Sequence, residues 1–160
     1  HGAQVYSIRA VSKNTQNNKR RQLLNKTANS QFIFLGFIAA GLTNLFGMLA
    51  ASEFFSNSMF HELSPEVFSR FGTFMVMVWG LAYIAAARQA HQLPMLCFVF
   101  AFEKAIYVYT WVQWMSSKSE MLPMLQDEAP LLALFYSGYG LIDLAFALFF
   151  LFAGARAFKK

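Results

Sequence analysis

Apolar residues fall in four long blocks along the chain, at about residues 31–51, 68–87, 95–115 and 131–155. Each block holds roughly the 20 residues a helix needs to cross a bilayer core about 30 Å thick. The prolines, Pro65, Pro94, Pro123 and Pro130, lie between blocks or at their edges. Each block can therefore form an uninterrupted helix. The polar face of a soluble amphipathic helix is missing: Phe32 to Ala51 has only Thr43 and Asn44 as polar side chains. The pattern predicts an all-α fold, an integral membrane four-helix bundle with up-down-up-down connectivity. It also predicts three regions. Residues 1–30 form a basic, acid-free segment, flexible or draped on a partner. Residues 31–156 form the four-transmembrane-helix domain, and residues 157–160 form a short basic tail.

Composition narrows the class. Hydrophobic residues make up 57% of the chain and charged residues 13%, too few charges to cover a soluble globule. The net charge of +5 raises nucleic acid as a partner, but its distribution argues for the bilayer instead. Arg9, Lys13, Lys19, Arg20, Arg21 and Lys26 all precede the first acidic residue, Glu53. A basic flank before an apolar run is how a membrane helix fixes its orientation. Arg88, between the second and third blocks, and Arg156, Lys159 and Lys160 at the end lie on the same side. The loop 52–67 carries Glu53, Glu62 and Glu66. The loop 116–130 sets Lys118 against Glu120, Asp127 and Glu128. Both termini are thus expected on the positive side, whether cytoplasm, matrix or stroma.

The outer loops hold the apolar pairs Phe54-Phe55, Met59-Phe60, Met121-Leu122 and Met124-Leu125. These suggest short helices or turns on the membrane surface. The tight turn 89–94 makes the second and third helices antiparallel neighbours. The first 30 residues suit either the mature end left by a removed organellar transit peptide or a bacterial cytoplasmic tail.

Candidate chemistry sits at mid-depth. Glu103 and Lys104 lie near the middle of the third block and Asp143 near the middle of the fourth, with Asn44 within a turn of that level. A charge at the bilayer centre costs about 2.5–3.5 kcal/mol, so these groups should pair inside the bundle, Lys104 with Asp143. Glu103 is then either protonated or held by a further donor. Glu103, Tyr107, Thr110 and Trp114 share one helix face; Tyr136, Tyr139, Asp143 and Ala147 share another. The buried polar cluster is therefore Asn44, Glu103, Lys104, Tyr107, Tyr139 and Asp143. Phe135, Phe146, Phe149 and Phe152 fall opposite Asp143 and suit lipid or a partner. Gly36, Ala40, Asn44 and Gly47 make a face for close helix approach. Trp111 and Trp114 read as an interfacial aromatic belt, and Cys97 as a small buried side chain.

No catalytic constellation and no metal motif stands in the sequence; His61-Glu62 lacks a second histidine at metalloprotease spacing. No histidine lies mid-membrane, which removes a bis-histidine haem. Chlorophyll, needing one axial ligand, survives with Asn44, His91, Glu103 and Gln113 as candidates. Carotenoid is also compatible with the phenylalanine-rich helices.

Four sequence features carry a resemblance: Ser64-Pro65-Glu66-Val67-Phe68, Trp79-Gly80-Leu81-Ala82-Tyr83-Ile84-Ala85, Phe102-Glu103-Lys104 with Tyr107, Val108 and Trp111, and Tyr139-Gly140 with Asp143 and Phe146. Over about residues 26–156 the chain resembles small uncharacterised four-helix membrane proteins of bacteria. The resemblance implies a fold and no activity. The leading expectation for function is a non-catalytic integral subunit or accessory protein of a larger energy-converting membrane complex, photosynthetic or respiratory. The membrane would be thylakoid, mitochondrial inner or bacterial inner, with lipid and other membrane subunits as partners. One alternative is a small proton- or ion-coupled transporter using Glu103, Lys104 and Asp143. The other is a quinone-binding membrane oxidoreductase.

Overall fold

The computed structural model describes residues 2–158, apart from the side chains of residues 2–15, 17, 22, 25 and 26. The side chains of Arg9, Lys13 and Lys26, and the tail residues Lys159 and Lys160, lie outside the described residues. The chain divides into two compact units, His1–Ile33 and Phe34–Lys160. In the first unit the backbone is helical and belongs to α1 (Gly2–Ala51). Its Lys, Arg, Gln and Leu residues are good helix formers, and Lys19, Arg20 and Arg21 are exposed.

The second unit holds the rest of α1, then α2 (Ser58–Leu63), α3 (Pro65–Phe68), α4 (Arg70–Ala86), a 3₁₀ turn at Ala90–Gln92, α5 (Pro94–Lys118), α6 (Leu122–Glu128) and α7 (Pro130–Phe158). The described residues contain no strand. Three stretches among them are long and apolar enough to cross a membrane: Thr27–Ala51, Pro94–Glu128 and Pro130–Phe158. The fourth apolar helix, α4, has 17 residues, about 25 Å at 1.5 Å per residue.

That shortness corrects the second block as read from sequence. The helix does not run through from Phe68. Ser69 takes an extended backbone and its hydroxyl accepts the Gly72 N–H at 3.1 Å, capping α4. Exposed Arg70 opens the helix. Gly72 is required here, since a Cβ would stand 2.0 Å from the Val67 carbonyl oxygen.

The α1 and α4 backbones approach closely. A Cβ on Gly41 would lie 2.6 Å from the Gly80 carbonyl oxygen, and one on Gly80 would lie 2.8 Å from that of Gly41. The two backbones touch, as small residues allow. Of the face expected for this purpose, Asn44 takes part, its Cβ 2.9 Å from where a Cβ on Gly80 would stand, but Gly36 and Gly47 do not. Gly36 instead receives the Phe149 ring, and a Cβ on Gly47 would meet nothing within 4 Å. Towards the end that holds the 3₁₀ turn, the core is aromatic, with Phe37, Tyr83, Phe100 and Phe150 each contributed by a different long helix. All four are at most 2% exposed, and Phe37–Phe150 and Tyr83–Phe100 meet edge-on at 4.9 and 4.8 Å.

The opposite end is closed by the short helices. Phe60 of α2, Phe68 of α3 and Leu125 of α6 are buried against Trp114 and Tyr136. The Tyr136 hydroxyl donates to the Phe60 carbonyl at 3.0 Å, and Lys118 Nζ donates to the Leu63 carbonyl at 2.7 Å. Phe54 and Met124 of the loop pairs remain exposed. This lid overturns the aromatic belt. Trp114 is 3% exposed and stacks on Tyr136 at 4.6 Å. Trp111 Nε1 donates to the Tyr136 carbonyl at 2.9 Å. Nor are all the phenylalanines opposite Asp143 free for lipid: Phe135 stacks on Tyr139 at 5.1 Å, and Phe149 packs edge-on against Phe37 at 5.9 Å. Cys97 is buried.

Candidate functional site

Asn44 is the single amide in an apolar run of α1, and it cannot stay buried unbonded. Its Nδ2 donates to the Val76 carbonyl of α4 at 3.0 Å, and its Oδ1 accepts from Lys104 Nζ of α5 at 2.8 Å. Lys104 Nζ also lies 2.6 Å from Asp143 Oδ1 of α7, forming an ion pair. Lys104 is 1% exposed. Its ammonium stands 5.5 Å from the Tyr83 ring centre and 5.7 Å from that of Tyr107, within cation–π range. Glu103, one residue and about 100° further round α5, points instead at α4, where the Tyr83 hydroxyl donates to its Oε2. Its other oxygen has no hydrogen-bond partner.

All four long helices therefore meet at one polar knot. The depth match of Lys104 and Asp143 was legible in the sequence. Tyr83 was not, because a tyrosine in an apolar run reads as an aromatic. It is, however, the one phenol in α4, and Glu103 needed a donor.

Tyr107 is half-buried and Tyr139 is 6% exposed. The Tyr139 hydroxyl has no hydrogen-bond partner. Thr110 stands beside it, its own hydroxyl donating to the Tyr107 carbonyl at 2.9 Å. The remaining pigment-ligand candidates do not join the knot. Gln113 is exposed and donates to the Tyr109 hydroxyl at 2.9 Å. His91 is exposed in the 3₁₀ turn beside Gln92. Asn44 has both amide atoms committed. Among the described residues no group of three or more His, Cys, Asp or Glu side chains is placed to hold a metal ion.

Between α1 and α7 lies a cavity of about 510 Å³. Its walls are apolar, from Met48, Ala51, Leu134 and Ile142 among others, and Asn44, Lys104 and Asp143 stand at one end. Tyr107 and Tyr139 also line it. Gly47 and Gly138, whose Cβ positions would meet nothing within 4 Å, widen it from opposite sides.

No family model matches the chain, and no curated protein or solved structure shows significant similarity to it.

Proposed function

We propose that the chain is an integral membrane protein of four transmembrane helices with both termini on the positive side. It acts as a non-catalytic subunit or accessory protein of a larger energy-converting complex. Support for the membrane comes from an inverted distribution of side chains. Lys104 is 1% exposed while Phe71, Phe102 and Leu134 are 69–72% exposed. A soluble fold places these classes the other way round. Burying Lys104 in cross-helix bonds is what a bilayer demands of a mid-depth charge. In this reading α4 spans together with the turn of α3 that precedes it.

The single observation that carries the subunit role is the use made of the charges. Lys104 and Asp143 are joined directly to each other, and Lys104 to Asn44. Such a knot locks helices together and leaves the outward apolar faces as the working surface. Gentle solubilisation from the native membrane should show the chain co-migrating with a large photosynthetic or respiratory complex, read by native electrophoresis and by the absorption of any bound chlorophyll or carotenoid. A colourless monomer or dimer would overturn the role.

Topology has its own test. Ser117→Cys, at an exposed position near the end of α5, should react with an impermeant thiol reagent added to the outside of sealed vesicles. Ser12→Cys should react only after permeabilisation. The opposite pattern reverses the orientation.

A further inference from the structure

We infer that the cavity between α1 and α7 is a lateral binding site for a neutral lipophile with a hydrogen-bond-accepting carbonyl head and an apolar tail. Three observations converge on it. Its volume, about 510 Å³, is in the range of small-molecule sites, about 300–1,000 Å³. The polar groups are gathered at one end: Lys104, Asp143 and Asn44 beside Tyr107. A buried phenol, Tyr139, lines the cavity with a hydroxyl that has no partner. A buried donor left unmet costs about 1–3 kcal/mol, and a carbonyl oxygen on a ligand would meet it.

The head should be neutral. Lys104 and Asp143 already compensate one another at 2.6 Å, so an added anion would compete with Asp143 and an added cation with Lys104. The polar end also lies at mid-depth of the spans, with apolar walls towards the α2–α3 and α6 side. A phospholipid places its head the other way, at the membrane surface. A quinone-like ring with a short isoprenoid or alkyl tail has the right polarity order. The inference is of binding alone, with no electron transfer. It rests on the membrane reading above but not on the subunit role, because it is read in micelles without any partner.

The test uses the full chain in detergent, with decyl-substituted benzoquinone as the probe and decylbenzene as the carbonyl-free control. Saturable quenching of tryptophan fluorescence reports binding, and the probe's effect on thermal unfolding reports it independently. Wild type should bind the quinone at least about tenfold more tightly than the control. Gly138→Leu fills the cavity from a position where added atoms meet nothing, so it should fold normally and lose saturable binding. Tyr139→Phe should weaken quinone binding by about tenfold, the worth of one buried hydrogen bond, and leave the control unchanged. Equal binding of quinone and control overturns the carbonyl head. Undiminished binding by Gly138→Leu, with its circular dichroism and melting unchanged, overturns the site. Should Gly138→Leu misfold, Gly47→Leu provides the same plug from α1 and is read in the same way.

Discussion

Lys104→Met alone, or Asp143→Leu alone, is expected to destabilise the protein by about 3–5 kcal/mol, the usual cost of leaving one charge of a buried pair without its partner. The double variant should recover much of that loss. The reason is geometric. Lys104 is almost wholly buried and reaches Asp143 at 2.6 Å and Asn44 at 2.8 Å. With Asp143 gone, the ammonium keeps only an amide oxygen and two aromatic faces. With both gone, Asn44 still donates to the Val76 carbonyl, and neither member of the Lys104–Asp143 pair is left without the other. Unfolding in a mixed-detergent titration, followed by circular dichroism, gives the three free energies of the cycle. Simple addition of the two single losses would mean the residues are not coupled. A double variant that is stable but has lost proton flux in proteoliposomes would transfer the function to the carrier reading.

Gly80→Leu should be almost as damaging, by about 2–3 kcal/mol, at the upper end of overpacking costs. Its Cβ would sit 2.8 Å from the Gly41 carbonyl oxygen and 2.9 Å from the Asn44 Cβ. Backbone cannot rotate aside as a side-chain tip can, so α1 and α4 must separate. Separation stretches the Asn44–Val76 bond and, through Asn44, the seat of Lys104. Gly138→Leu is the natural control, because the same enlargement there meets open space. Comparable melting of the two variants would mean that the α1–α4 contact is looser than the structure has it.

Several of these features could be read from sequence because they depend on position along a helix. Depth follows from distance to the helix ends, and azimuth from the 3.6-residue period. Lys104, Asp143 and Asn44 were visible on that basis alone. Features that depend on how helices cross were not. The intimate contact takes Gly41 and, from the Gly36, Ala40, Asn44 and Gly47 stripe, Asn44, since crossing angle decides which residues of two neighbouring faces touch. Trp111 and Trp114 resemble interfacial residues by their nearness to a helix end. Only the folded α2, α3 and α6 show that this end is roofed over. The break at Ser69-Arg70 was signalled by two adjacent polar residues, but an apolar average over 20 positions conceals it. The cavity was invisible, being defined by where Gly47 and Gly138 lack neighbours.

The polar knot also bears on how such a protein is made. The partners of Lys104 lie 60 residues before it, at Asn44, and 39 residues after it, at Asp143. In a membrane, α5 would emerge from the insertion machinery with its countercharge not yet synthesised. Glu103 can find Tyr83 on the preceding helix and the ammonium can find Asn44 on the first, but the ammonium has no countercharge there. If the chain inserts as four spanning helices, the charge on α5 is fully compensated only once α7 has followed it. Chains truncated before Asp143 would be retained by the translocon or cleared by membrane proteases.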